Sequence, residues 1–79
     1  MTGIEIVNAV NAVCSMADDF KEVTIRVAGV QTKIKMDEFV KLAKDNRLFD
    51  RERSLFILDY GTSCFIAGFS SVESISLSS

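Results

Sequence analysis

The stretch LFILDYGTSCFIAGF, residues 55–69, decides the fold because it places an apolar run on each side of a single turn. The runs, residues 55–58 and 64–67, predict two paired strands with residues 59–62 as the turn between them. A strand that is buried on one face alternates apolar and polar residues, whereas these runs are apolar at consecutive positions. We therefore expect both faces of this hairpin to be covered.

The chain has little material for covering two faces, because a domain of 79 residues buries only about 60% of its unfolded surface. One alternative is a monomer in which the helices lie on opposite faces, or in which Leu48, Phe49 and the first helix cover the second face. The other is a second chain, which we favour because a continuous exposed apolar patch promotes aggregation. The predicted protein interface consists of Leu55, Phe56, Ile57, Leu58, Phe65, Ala67 and Phe69.

The first half of the chain predicts a helix followed by a hairpin. Thr2 and Glu5 have the spacing of a capping box, and apolar residues then recur every three or four positions, which predicts a helix over residues 3–19. The period changes to two over residues 23–35, which predicts a hairpin with one solvent-facing side. Gly29 supplies the positive φ that a short hairpin loop requires.

Residues 35–38 lead into a second predicted helix, with Asp37 as its N-cap and its end near Asp45 and Asn46. Residues 70–79 include six serines, and they predict either a last edge strand over residues 72–77 or a frayed tail. We expect a single α+β domain over residues 1–79, in the order α-β-β-α-β-β-β. Its antiparallel sheet would be packed with the two helices.

The composition excludes several chemistries. No histidine is present, so Ser-His-Asp and Cys-His arrangements are absent. The four glycines are too scattered for a phosphate-binding loop. Asp18, Asp19 and Glu22 are more typical of a solvated helix end than of a metal site. We expect no enzymatic activity, catalytic residue, cofactor or metal.

The two cysteines are expected to stay reduced and to serve as small buried hydrophobic residues. Cys64, just after the turn, has no imidazole beside it that could activate the thiol. We therefore interpret Cys64 as a packed strand residue.

All nine lysines and arginines lie between residues 21 and 53, although the net charge is −2. This cluster is either a patch for an acidic partner or a nucleic acid, or an ordinary solvated face with internal ion pairs. The acidic residues within it weaken its field, whereas nucleic-acid binders usually present a stronger basic surface. The candidate charged patch consists of Lys33, Lys35, Lys41, Lys44, Arg47, Arg51 and Arg53.

No signal peptide or membrane span is expected, so we predict a cytoplasmic protein without a membrane partner. The predicted function is that of a small non-enzymatic protein-binding module that acts as a homodimer. It would be a stoichiometric inhibitor or regulator that occludes a partner's surface, by analogy with inhibitors that phages and mobile elements use against host enzymes or defence complexes. The alternative is a nucleic-acid-associated regulator that uses the basic region 33–53.

Overall fold

The computed structural model describes residues 1–78 as two helices and two three-stranded antiparallel sheets. The predicted element order is confirmed, with a two-residue strand and a short 3-10 helix (η1) in addition. In chain order the elements are α1 Gly3–Ser15, β1 Glu22–Val27, β2 Val30–Lys35, α2 Met36–Lys44, β3 Phe49–Asp50, β4 Leu55–Tyr60, β5 Ser63–Gly68, η1 Phe69–Ser71 and β6 Val72–Ser78.

Helix α1 begins with the predicted capping box. The Glu5 amide donates to the Thr2 hydroxyl at 3.2 Å, and the Thr2 amide donates to the Glu5 carboxylate at 2.8 Å. Hydrogen bonds from Thr2 lower the pKa of Glu5. The predicted end at Asp19 is wrong, since α1 ends at Ser15 and residues 16–19 form a turn. The last turn contains no basic residue and is followed by Asp18 and Asp19, whose charges oppose the helix dipole.

Helix α2 ends as predicted but does not begin as predicted. Its N-cap is Lys35, which makes no capping hydrogen bond through its side chain, and Asp37 is the second helical residue. The prediction of Asp37 as the N-cap is therefore wrong, although its carboxylate still lies in the first turn, where the dipole favours it. At the other end Asn46 adopts a φ of 56°, and the next amide donates to the Leu42 carbonyl oxygen at 2.9 Å.

Sheet A, in the order β2-β1-β6, has one apolar and one polar face. On its inner face Ile25 of β1 lies beside Ile75 of β6 and is fully buried. The predicted strand at the end of the chain is confirmed for residues 72–78, so that segment is not a frayed tail, and Ser79 lies outside the described residues. Ile75 and Leu77 pack against the core, as predicted.

A β-bulge in β6 places a side chain that binds the first hairpin. The register between β1 and β6 shifts between Arg26 and Val27, which leaves Glu73 as the extra residue. One carboxylate oxygen of Glu73 accepts a hydrogen bond from the Gly29 amide at 2.6 Å, and the other lies 3.2 Å from Arg26 Nε. The side chain of the bulge thus fixes the turn between β1 and β2.

Sheet B, in the order β3-β4-β5, contains the apolar hairpin. Phe56 and Leu58 of β4 are 0% exposed, whereas Leu55 and Ile57, which alternate with them, are half-buried on the opposite face. The strands extend further than predicted, so that the turn consists of residues 61–62 alone, with Gly61 at a φ of 57°.

One apolar core unites both helices with the inner faces of both sheets, and no polar or charged residue in the described chain is buried there. Leu48, just before β3, is 1% exposed and belongs to this core. The core consists of Ile6, Val10, Val13, Val23, Ile25, Val27, Ile34, Met36, Phe39, Leu42, Leu48, Phe56, Leu58, Phe69 and Val72. Because both helices pack into this core, the outer faces of the sheets point away from them.

The hairpin loop between β1 and β2 provides a test of backbone strain. Ala28 and Gly29 have φ angles of 49° and 82°, the left-handed pair of a type I′ turn. Replacing Ala28→Asn should raise the free energy of unfolding by about 0.5–1 kcal/mol, because asparagine tolerates this conformation better than alanine. The measurement is urea denaturation followed by circular dichroism. Gly29→Ala, the opposite change at the next position, should lower stability by about 1 kcal/mol, and equal stability of all three chains would contradict the turn assignment.

Candidate protein-binding surfaces

The outer face of sheet B is an apolar surface, which we define by Leu55, Ile57, Cys64 and Ile66. Strand register places Ile66 directly opposite Ile57, and Gly68 opposite Leu55. The Ile66 side chain is 57% exposed and Cys64 is also exposed, while Leu55 and Ile57 are half-buried. Neither helix covers this face, because the apolar stripes of both helices pack into the core on the other side.

The outer face of sheet A is different in composition. Thr24 at its centre is flanked by Lys33 on one side and Ser76 on the other. Arg26 of the same strand forms an ion pair with Glu73. Of the two described sheets, only sheet B therefore presents an apolar outer face to solvent.

The predicted interface residues are divided between the two sides of sheet B. Phe56, Leu58 and Phe69 belong to the core, with Phe69 only 8% exposed, and Phe65 and Ala67 pack against it. Leu55 and Ile57 are the predicted residues that lie on the outer face. Cys64 and Ile66, which the prediction omitted, lie there with them. The sequence does contain a signal for these two residues. Cys64 and Ile66 are two positions apart on β5, so they lie on one face of the strand, and the register places Ile66 opposite Ile57.

Strand β5 also has a free edge. The Ile57 amide donates to the Leu48 carbonyl oxygen at 2.7 Å, on the side of β3. Ile57 and Ile66 therefore form a pair that exchanges no hydrogen bond between β4 and β5, and the Ile66 amide and carbonyl point to the outside of the sheet. Within the described chain no strand pairs with this edge of β5. Such an edge is a template for another strand.

The charges that border the outer face of sheet B are paired. Arg47 lies 2.8 Å from Asp59, which is opposite Cys64, and Arg53 lies 3.9 Å from Asp50, which is opposite Leu55. Exposed pairs of this kind contribute little to stability. They do cancel the carboxylate charges beside the apolar side chains, so the face carries little net charge.

The candidate charged patch is distributed over several parts of the fold. Lys33 and Lys35 lie on β2 and Lys41 and Lys44 on α2, whereas the arginines lie between α2 and β4. Arg47 and Arg53 are engaged by the aspartates described above. Arg51 lies over the ring of Phe49, with its guanidinium carbon 5.6 Å from the ring centre. The seven cations therefore come from three separate parts of the chain, and Arg47 and Arg53 among them have carboxylate partners.

The two thiols have different surroundings. Both cysteines are free, as expected. Cys64 is exposed, so its interpretation as a packed strand residue is wrong: β5 is an edge strand and its outer face has no cover. Cys14 is half-buried, and burial raises the pKa of its thiol, an effect that the charge of Lys44 partly offsets.

Residues 1–78 contain no group of three or more His, Cys, Asp or Glu side chains that could hold a metal ion. Neither described helix has the length and apolar content that crossing a bilayer would require. In comparisons with known proteins the chain matches no protein-family model, no curated protein sequence and no solved structure.

Alkylation rates should report the different positions of the two thiols. At pH 7 Cys64, measured in the Cys14→Ser variant, should react with iodoacetamide at least about tenfold faster than Cys14, measured in Cys64→Ser. Because the thiolate is the reactive form and the pKa of Cys14 is raised, its rate should increase about tenfold per pH unit up to that pKa. Equal rates for the two thiols at pH 7 would contradict their placement.

Proposed function

We propose that this protein is a non-enzymatic protein-binding regulator that acts as a homodimer and inhibits its partner by occluding a surface. In the dimer, β5 pairs antiparallel with β5 of a second copy across a twofold axis. The observation that carries this proposal is the free edge of β5, which continues into the apolar outer face of sheet B.

The charges on the edge strands support a second copy as the occupant of this edge. Twofold pairing of a strand with itself brings like residues close together, and like charges at facing positions are destabilising. Strand β2 carries Lys33 and Lys35, and β6 carries Glu73. Strand β5 contains no charged residue and no proline, so it lacks the features by which edge strands usually prevent such pairing.

Edge pairing would also explain how a small chain presents a sufficient binding surface. A stable protein interface involves about 20–30 residues on each side. The outer face of sheet B contributes only a few side chains from one copy. Joining two sheets B edge to edge keeps their outer faces on the same side, so Ile57 and Ile66 of both copies would line one broader apolar surface for the partner.

The distribution of the basic residues favours this function over nucleic-acid binding. Affinity for nucleic acids comes mainly from cations that neutralise phosphates along a groove or stripe. Here Arg47 and Arg53 are engaged by Asp59 and Asp50, and the four lysines of the candidate patch lie in pairs on two elements, β2 and α2.

The dimer can be tested by changing one exposed residue on β5. Ile66→Lys should weaken self-association at least about tenfold, because a lysine on an edge strand opposes strand pairing and, across the twofold axis, would lie close to the like charge of the second copy. The measurement is molecular mass by light scattering at micromolar concentration, with circular dichroism as the check on folding. Val30→Lys is the matched control, since Val30 is 63% exposed on the edge strand β2.

We expect the wild type and Val30→Lys to have the mass of a dimer and Ile66→Lys that of a monomer. A monomeric wild type would contradict the homodimer. A dimer that Val30→Lys disrupts and Ile66→Lys does not would place the contact on sheet A.

Regulation by occlusion can be tested with the captured partner. Affinity capture from the source cells, with wild type and with Ile57→Asp as baits, should yield a protein that only the wild type retains. When the purified partner is titrated, its activity should fall in proportion to added protein and reach an endpoint at a fixed ratio. Turnover by substoichiometric amounts would contradict a non-enzymatic role, and salt-sensitive retention of nucleic acid alone would favour the alternative function.

A further inference from the structure

A groove runs along α1 on a side of the molecule separate from the outer face of sheet B. Two adjoining depressions, of about 380 Å³ and about 500 Å³, share Val7 and Arg51 in their walls. One continues to the start of α1 at Ile4, and the other continues to Cys14 near its end. We call these two adjoining depressions together the α1 groove.

The floor of the α1 groove is apolar, with the side-chain amides of Asn8 and Asn11 beside it. One stripe of α1, Ile4, Val7, Asn11 and Cys14, lines the groove at spacings of three and four residues, so it lies on one face of the helix. Leu48 and Phe49 form part of the opposite wall. Ile4 is 76% exposed, so the apolar floor reaches solvent at this end of the groove.

The rim of the α1 groove is positively charged. Arg51 and Lys44 line it, and no aspartate or glutamate does. Within residues 1–78 neither cation has a salt-bridge partner, in contrast to Arg47 and Arg53. The guanidinium of Arg51 lies over the Phe49 ring, at a distance suitable for a cation–π interaction.

We infer that the α1 groove binds an acidic amphipathic segment of the partner protein. Apolar side chains of that segment would pack on Ile4, Val7 and Phe49, and its carboxylates would pair with Arg51 and Lys44. Two cations are too few for a nucleic-acid backbone, whereas they suit a peptide with acidic residues beside an apolar stripe. This inference rests on the proposed function, since it identifies the chemistry of the partner, but it uses a surface that does not include β5.

A synthetic peptide provides the probe. The peptide is about 14 residues long, four turns of helix, with leucines on one face and glutamates on the other. Two control peptides are needed, one with lysines in place of the glutamates and one with alanines in place of the leucines. Binding is measured by fluorescence anisotropy and, in the Cys64→Ser background, by protection of Cys14 from alkylation.

Only the peptide that combines leucine and glutamate should bind and slow the alkylation of Cys14. Arg51→Glu and Lys44→Glu should each weaken its binding roughly tenfold, because each places a like charge beside the peptide carboxylates. Arg53→Glu and Lys41→Glu are the matched controls, since they make the same charge change nearby but neither residue lines the groove. We expect both controls to bind the peptide as tightly as the parent chain does.

Three results would overturn the inference: no binding of the combined peptide, equal binding of a control peptide, or equal weakening by the matched control variants. The homodimer is judged separately by light scattering on the same samples. A monomeric chain that binds the peptide refutes the dimer and supports the groove. A dimer that does not bind it refutes the groove and leaves the dimer intact.

Discussion

A single hydrophobic core has to serve two helices and two sheets in this small chain. Both helices place their apolar stripes, among them Ile6 and Phe39, on the inner faces of the sheets, so no described element remains to cover an outer face. The uncovered outer face of sheet A carries threonine, lysine and serine, which water can solvate. The outer face of sheet B is apolar instead, because Leu55 and Ile57 continue the apolar run of β4. The contrast between the two outer faces is therefore the physical origin of the proposed interaction surface.

The element order could be predicted because the hydrophobic period changes from helical to alternating at the correct places. The boundaries could not, because the end of α1 depends on a balance of weak charge effects near Asp18. Strand β3 could not be predicted, because two residues are too few to show a hydrophobic period. The division into two sheets depends on the return of β6 to β1, which pairs Thr24 with a residue 52 positions away. No local pattern encodes a contact of that range.

The burial problem in residues 55–69 was recognisable from sequence, and alternation separates the two faces within each strand. The assignment of residues from β4 and β5 to a shared face was not recognisable. That assignment depends on the length of the turn, and a two-residue turn at Gly61 places Ile66 opposite Ile57. Phe56 and Leu58 then point inward and form part of the core. The α1 groove is formed by three separate segments, so the stripe that includes Val7 and Cys14 was its only trace in the sequence.

The pairing of β1 with β6 also sets an order of assembly. Strand β1 can pair with β2 as soon as the first hairpin exists, but its second edge stays open until residues 72–78 have been synthesised. The hairpin of β4 and β5, in contrast, closes over a turn of two residues and needs no distant partner. During synthesis sheet B therefore gains its hairpin before sheet A gains its third strand. The seven residues of β6 complete sheet A, and a nascent chain that lacks them already exposes the free edge of β5.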